Sequence, residues 1–414
     1  MTHKASNQSS LQILQRLAVA AVRVIINPTM QPSILPPPHL IADPRSLQQM
    51  VQTLSREPIL AVDSESNSLY AYHEQVCLIQ FSSPTDDFLV DPLALTDLSL
   101  LETLFANPNI EKVFHAAEYD LITLKRDFGF TFNNLFDTMI AARTLGYRSI
   151  GLGSLLEAEF DIHLDKRYQR ANWGQRPLPT HLLEYARLDT HYLIPLRNRL
   201  RNRLQETSRW LLAQEDFARL PQVNGRAVER NGGLCWRING ADDLTPRQAA
   251  VLEELCRYRD RLAQRINYPP FKVINDQILY AIAVQCPTTL TALRSQVRLS
   301  GKLFERHGEA LLRAVQRGLK AKPLYPPHGP APNEHFLYRL EALRQWRKTA
   351  AQRMGVSSEV ILPRDLLYTL AYHNPHTHQD LESLLYHVPW RLKRFGDEIL
   401  AILAQVEIMN QTTK

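Results

Sequence analysis

Two carboxylates, Asp63 and Glu65, follow a short apolar run and are the residues of this chain best suited to chemistry. The run Ile59–Asp63 predicts a buried β-strand, and side chains two apart on a strand point to the same face. Asp63 and Glu65 would then stand side by side at the strand end. Two buried negative charges repel each other unless a cation lies between them. The spacing therefore favours a divalent metal site, and the alternative is a solvated strand end.

Three further residues carry groups that could join such a site. Asp120 lies in the first turn of a helix predicted directly after a strand, where a carboxylate could also serve only as a partner of the helix dipole. Tyr185 and Asp189 are four residues apart on a predicted helix, so the phenol and the carboxylate share a face. For these two, the alternative is a half-buried aromatic ring and an exposed carboxylate paired with Arg187 or His191.

The elements that must position these residues run from Leu40 to about Thr207. We predict strands at Ile59–Asp63, Val76–Phe81, Asp87–Val90 and Lys112–His115, helices at Asp43–Ser55, Leu98–Phe105 and Glu118–Phe128, and only helices from there to Leu204. Strands with short connections, followed by helices layered on them, predict an α/β domain with a mixed sheet.

The second half of the chain contains an internal repeat. Leu255–Arg265 recurs as Leu343–Arg353, and Ile278–Ala283 recurs as Leu366–Ala371 at the same offset. A repeat of this kind predicts two copies of one helical module. The predicted boundaries are 1–38 for an N-terminal extension with a Pro-rich linker, 39–207 for the α/β domain, 208–322 and 333–414 for the helical modules, and 323–332 for a second Pro-rich linker.

Composition limits the classes of protein that need considering. The 414 residues carry a net charge of +6, which favours an anionic partner. Four widely spaced cysteines predict neither a zinc site nor a disulfide framework, and they fit a reducing, cytoplasmic compartment. No apolar run reaches the roughly 18 residues of a membrane span. Residues 1–34 contain no acidic side chain and are interpreted as an extension, as sequence upstream of a true start at Met30, or as a targeting peptide.

Taken together, the carboxylates and the tyrosine resemble the motifs of the DEDD exonuclease superfamily. The order is Asp63-x-Glu65, Asp120 and Tyr185-x-x-x-Asp189, and the tyrosine matches the DEDDy branch. The neighbouring sequence resembles the ribonuclease D family at Leu78-Ile-Gln80, His115-Ala116, Asp137-Thr138 and Trp173-x-x-Arg176-Pro177-Leu178. The repeated module resembles the HRDC domain. Ala116-Ala117 stands where DNA-proofreading relatives often carry Asn, which argues against them.

The resemblance implies a ribonuclease H-like exonuclease domain with a mixed sheet, followed by two all-α HRDC-like bundles. It implies a 3′-5′ exoribonuclease that releases nucleoside 5′-monophosphates from RNA, in the maturation of tRNA or other small stable RNA. Two divalent ions, Mg²⁺ or Mn²⁺, would be held by Asp63, Glu65, Asp120 and Asp189, with Asp63 shared. Tyr185 would orient the attacking water. We expect a monomer that is not bound to a membrane.

Substrate contacts are predicted at His115, Trp173 and Arg176. Tyr70, Tyr72 and Phe81 are further candidates for base stacking, with core packing favoured for Phe81, and Arg170 is a further candidate for phosphate contact.

Three alternatives stay open at this point. The chain could be a 3′-5′ DNA exonuclease of the type linked to RecQ helicases, or a catalytically silent RNA-binding scaffold. The second HRDC-like module could bind either RNA or protein.

Overall fold

The computed structural model describes residues 35–223, 235–326 and 333–412. Residues 1–34, for which three interpretations were given, lie outside these ranges. Most of the second Pro-rich linker also lies outside them. None of the helices in the described ranges is both long and apolar enough to cross a lipid bilayer.

The first half of the chain forms an α/β domain around a six-stranded mixed sheet. In chain order its elements are β1 (His39–Ile41), α1 (Pro44–Leu54), β2 (Ile59–Ser66), β3 (Val76–Ser82), β4 (Asp87–Val90), α2 (Glu102–Phe105), β5 (Glu111–Phe114), α3 (Glu118–Phe128), β6 (Leu135–Asp137), α4 (Thr138–Leu145), α5 (Leu152–Phe160), α6 (Thr180–His191), α7 (Leu193–Glu206) and α8 (Trp210–Arg219). The strand order is β1-β4-β3-β2-β5-β6. The predicted mixed sheet is confirmed.

The sequence missed the two edge strands, β1 and β6. Each has three residues, which is too short for a periodic pattern, and the prediction of helices only after Phe128 is wrong for this reason. Both edge strands pair in parallel, β1 with β4 and β6 with β5.

Strand β2 lies inside the sheet and extends past its neighbour β5. It pairs with β5 in parallel only from Ile59 to Ala61, while its antiparallel pairing with β3 continues through Asp63, opposite Gln80, and Glu65, opposite Leu78. The end of β2 is therefore bounded by β3 on one side and by the start of α3 on the other.

The two faces of β2 belong to different cores. Leu60 and Val62 pack in the cluster that includes α1 and α3, whereas Ala61 packs in the cluster of α4, α5, α7 and α8. Because side chains alternate along a strand, Asp63 and Glu65 continue the Ala61 face, which α6 also covers.

Helix α8 belongs to this α/β domain by packing. Ala213 and Phe217 share a core with Phe136 of β6, and the rings of Phe136 and Phe217 lie 4.7 Å apart. The sequence had placed residues 208–223 in the first helical module, because helical periodicity alone does not show which core a helix joins.

The second half forms two helical bundles, as predicted, each around its own core. The first contains α9 (Pro246–Arg265), α10 (Pro270–Val273), α11 (Asp276–Gln285), α12 (Leu290–Gln296) and α13 (Gly301–Lys320), and the second contains α14 (Glu334–Met354), α15 (Ser358–Ile361), α16 (Arg364–His373), α17 (His378–Leu385) and α18 (Pro389–Thr412). The offset of 88 residues between α10 and α15 follows from these bounds (358 − 270), and it matches the sequence repeat.

One cysteine prediction is wrong. Cys235 and Cys256 form a disulfide, with Cα atoms 6.1 Å apart. Their separation of 21 residues resembles no short motif, and only the packing of α9 against the segment before it brings the two thiols together.

Candidate active site

The carboxylates Asp63 and Glu65 lie on one face at the end of β2, beneath α6. Burial, followed by the charges of Asp120, Asp189 and Glu65, raises the pKa of Asp63 well above its usual value. Burial and the charges of Asp189 and Asp120 raise the pKa of Glu65 in the same way. These mutual effects mean that four carboxylates from three elements, far apart in sequence, meet at one place.

Asp120 reaches this place from the first turn of α3. It is 6 % exposed, and its Oδ1 accepts a hydrogen bond of 2.5 Å from the Ser64 hydroxyl. Burial raises its pKa to about 7. The start of α3 is fixed by Asp137, which accepts a hydrogen bond of 2.7 Å from the Ala117 amide. Asp120 therefore faces the end of β2, and a role limited to the helix dipole does not account for its burial.

Tyr185 and Asp189 reach the site from α6, which packs across β2, β3 and β4. Burial raises the pKa of Asp189 to about 7, although the neighbouring Tyr185 hydroxyl acts to lower it. Burial and the charges of Asp189, Glu65 and Asp63 raise the pKa of Tyr185 far above that of a free phenol. Tyr185 therefore keeps its proton near neutral pH and can act as a hydrogen-bond donor, not as a base.

The donor chemistry of this group suits a hard divalent cation. Carboxylate oxygens are preferred by Mg²⁺ and Mn²⁺, and the repulsion that raises these pKa values is what such a cation relieves. Within residues 35–223, 235–326 and 333–412, no three His, Cys, Asp or Glu side chains form a ready-made cage for an ion. Mg²⁺ usually binds through one or two carboxylates, waters and substrate phosphates, so an open group of carboxylates fits it.

The predicted substrate residues lie near the site but are engaged by the protein. Trp173 is 1 % exposed and packs on Tyr185, with ring centroids 6.1 Å apart. Arg176 binds both carboxylate oxygens of Asp91, at 2.6 and 2.7 Å. Phe81 is fully buried in the core. Trp173 and Arg176 thus support the segment under Tyr185. Their observed contacts are with protein, whereas the prediction was contact with a base or a phosphate.

His115 follows β5 and also faces inward. Its Nδ1 lies 2.9 Å from the Thr138 hydroxyl, and burial lowers its pKa. The ring is therefore neutral near pH 7, so it can contact RNA by hydrogen bonding or stacking but not as a cation.

Gln80 also lies at this site. The sequence placed it in the motif Leu78-Ile-Gln80 but assigned it no function. It lies opposite Asp63 in the β2–β3 pair, so the two side chains share a face. It is 0 % exposed, and neither its Oε1 nor its Nε2 has a hydrogen-bond partner. The signal was present in the sequence, because Gln80 interrupts the apolar run Val76–Phe81.

Comparisons with known proteins agree with this arrangement. A family model described as 3′-5′ exonuclease matches residues 38–205, and the HRDC domain model matches residues 248–315 and 336–403. The chain is 30 % identical to ribonuclease D of Pseudomonas paraeruginosa, over 88 % of this chain and 96 % of that protein. It is 32 % identical to the exosome complex exonuclease RRP6 of Saccharomyces cerevisiae, over 66 % of this chain and 40 % of that protein.

The matched exosome-type relatives are longer proteins. The chain spans 29 % of the exosome complex component 10 homolog of Caenorhabditis elegans and 48 % of the RRP6-like 1 protein of Arabidopsis thaliana.

Solved structures show the same fold. The structure of Escherichia coli RNase D, an exoribonuclease involved in structured RNA processing, aligns with a TM-score of 0.66 and 27 % identity, over 89 % of this chain and 99 % of that one. The catalytic core of RRP6 from Trypanosoma brucei aligns with a TM-score of 0.62 and 27 % identity, over 71 % of this chain and 83 % of that one.

Proposed function

Since the chain belongs to the ribonuclease D family, we propose that it is a metal-dependent 3′-5′ exoribonuclease that releases nucleoside 5′-monophosphates from RNA 3′ ends. The observation that carries this proposal is the meeting of Asp63, Glu65, Asp120 and Asp189 with Tyr185 at the end of β2. Carboxylates that are half-buried or buried together and raise one another's pKa are stabilised in their ionised form by a cation.

We assign the four carboxylates to two divalent ions, Mg²⁺ or Mn²⁺. Asp63 would be shared, Glu65 and Asp189 would complete one position, and Asp120 would complete the other. When bound, such a pair stabilises the attacking and leaving oxygens of a phosphodiester displacement. Ser64 holds Asp120 in place by its hydrogen bond, and this fixes the carboxylate before any ion arrives.

Tyr185 supplies a positioned hydroxyl group. Its raised pKa keeps the proton on the phenol oxygen, and the carboxylate of Asp189 lies close enough to interact with it. The packing of Trp173 on its ring limits its motion. We therefore assign Tyr185 to orienting the attacking water, a role that needs a donor of fixed geometry and no proton transfer by the phenol.

We propose RNA with a single-stranded 3′ end as the substrate class, such as precursors of tRNA or other small stable RNA. Support comes from the ribonuclease D relatives, which the chain matches over nearly their whole length, and from the HRDC modules. A monomeric state and a cytoplasmic location stay predictions.

The experiment that tests this function compares matched RNA and DNA oligonucleotides, 5′-labelled, with Mg²⁺, Mn²⁺ or EDTA. We expect stepwise shortening of RNA from the 3′ end with either metal and none with EDTA. Asp63→Asn should abolish cleavage because the shared ligand loses its charge, while the exposed-site control Asp242→Asn should behave as wild type.

Each other outcome has a meaning in this design. Faster cleavage of DNA than of RNA would show the RecQ-linked type of DNA exonuclease. Binding of RNA without cleavage would show a silent scaffold. Metal-dependent cleavage by the Asp63→Asn variant would contradict the assignment of the shared ligand.

A further inference from the structure

A group of aromatic and basic side chains, all exposed except the half-buried Tyr70, lies where the first helical bundle meets the α/β domain. We call it the aromatic strip and define it as Tyr70, Arg170, Tyr268, Phe271 and Lys272. Tyr268 is 40 % exposed and Phe271 is 48 % exposed. We propose that this strip binds the single-stranded RNA tail upstream of the nucleotide being removed, an inference that rests on the proposed function.

The strip is built from alternating rings and cations. The Lys272 ammonium lies 4.1 Å from the ring centroid of Tyr70 and 5.9 Å from that of Tyr268. The Tyr70 hydroxyl donates a hydrogen bond of 2.7 Å to the Arg170 carbonyl oxygen, which places the exposed Arg170 beside the same ring. Surfaces that hold single-stranded nucleic acid combine cations for the backbone with rings on which bases stack.

The strip lies a short distance along the chain from the candidate active site. The loop 67–75 starts two residues after Glu65, so Tyr70 is at most about 18 Å from Glu65 along the chain. Tyr119, which precedes Asp120, is exposed and has its hydroxyl 3.4 Å from the hydroxyl of Ser66, the residue before this loop. An RNA strand that leaves the carboxylates towards this loop therefore meets the strip within a few nucleotides.

The first bundle holds the loop in this position. Asn267 accepts hydrogen bonds of 3.1 and 3.2 Å from the amides of Tyr72 and His73, and the Tyr72 hydroxyl donates one of 3.0 Å to Asp260. These bonds fix Tyr70 relative to Tyr268 and Phe271. The two halves of the strip thus form one surface, although about 200 residues separate them in sequence.

The same edge of the second bundle has different contacts. By the offset of 88 residues, Phe271 corresponds to Glu359 and Lys272 to Val360. Glu359 lies 3.8 Å from Arg143 of the α/β domain, and Val360 is buried, with its carbonyl accepting a hydrogen bond from Arg391. In the second copy this edge faces the α/β domain at Glu359 and buries Val360, whereas in the first it presents rings and a cation to solvent.

The test compares the double variant Tyr268→Ala/Phe271→Ala with a matched control in the second bundle, Tyr372→Ala/Tyr386→Ala, which also removes two exposed rings. Cleavage is measured as kcat/KM on a 20-nucleotide oligo(A) and on a trinucleotide. Binding of the 20-mer is measured by fluorescence anisotropy with both variants placed in an Asp63→Asn background. Thermal unfolding confirms that each protein is folded.

We expect the strip variant to lose about tenfold per ring in affinity and in kcat/KM on the 20-mer, with little change on the trinucleotide and none in the control. Lys272→Gln should reduce the slope of log Kd against log salt by about 1.

Unchanged binding of the 20-mer would overturn the proposal and leave a protein partner as the occupant of the strip. An equal loss on both substrates would also overturn it, showing that the rings only support the fold. If the wild-type protein cleaves neither RNA, the proposed function has failed. The binding data would still show whether the strip binds RNA.

Discussion

Asp120→Asn should make the metal-free protein more stable at pH 8 while it removes activity. Burial raises the pKa of Asp120 from 3.8 to about 7. Because the folded-state pKa lies above the unfolded-state value, the stability linked to this group is fully present below about pH 4 and is lost as the pH rises through 7. Asparagine keeps an oxygen that can accept the Ser64 hydrogen bond, but it has no charge to bury.

The magnitude follows from the size of the pKa change. Each pH unit between the two pKa values costs about 1.4 kcal/mol. Because folded-state Asp120 is still half-protonated at pH 7, the wild-type protein should lose about 2 kcal/mol between pH 5 and pH 7 through this residue. The variant lacks this loss, and at pH 8 we expect it to exceed the wild-type protein by about 2–4 kcal/mol in free energy of unfolding. Sites that bind metals through crowded carboxylates trade stability for function in this way.

The assay is urea unfolding in EDTA at pH 5, 7 and 8, with hydrogen exchange of the β2 amides to report on the α/β domain itself. Asp242→Asn, at an exposed position, serves as the control. With Mg²⁺ at 100 times its Kd, the wild-type protein should gain about 2.7 kcal/mol at pH 8, and the variant should gain much less. Equal pH dependence in the wild-type protein and the Asp120→Asn variant would refute the reasoning.

Three further variants address the rest of the site and its support. Tyr185→Phe should lower kcat by about 100-fold or more because the water loses its oriented partner, with RNA affinity nearly unchanged, as single-turnover kinetics and anisotropy would show. Gln80→Leu should raise the free energy of unfolding by about 1–3 kcal/mol because it removes an unpaired buried amide, yet lower the cleavage rate about tenfold or more by removing the polar group beside Asp63. Arg391→Met should cost about 3–5 kcal/mol in urea unfolding because it leaves Glu215 buried without its partner, whereas combining it with Glu215→Leu should recover most of that loss.

The contradicting outcomes differ for each variant. Near-wild-type turnover by Tyr185→Phe would remove Tyr185 from the mechanism. A Gln80→Leu protein that is less stable than wild type would mean that the amide has a partner, such as an ordered water. Equal losses in Arg391→Met and in the double variant would mean that packing of the arginine stem, and not its pairing with Glu215, holds α18 against α8.

The sequence alone specified those features that depend on neighbours along the chain. A short apolar run predicted the strand that leads to Asp63 and Glu65, and the four-residue spacing of Tyr185 and Asp189 placed them on one helical face. The repeat at a constant offset predicted two helical bundles. In each case the period of the backbone fixes where a side chain points, so the pattern of residues is sufficient.

Only the tertiary structure decided which of those side chains are free to act. Trp173 and Arg176 are residue types that often contact RNA. In the fold, however, the Trp173 ring packs against Tyr185 of α6, and the Arg176 charge is paired with Asp91. Conversely, the sequence assigned no role to Tyr268 and Phe271, whose exposure only the fold shows. Burial and partnership depend on elements distant in sequence, and the local pattern does not encode which elements those are.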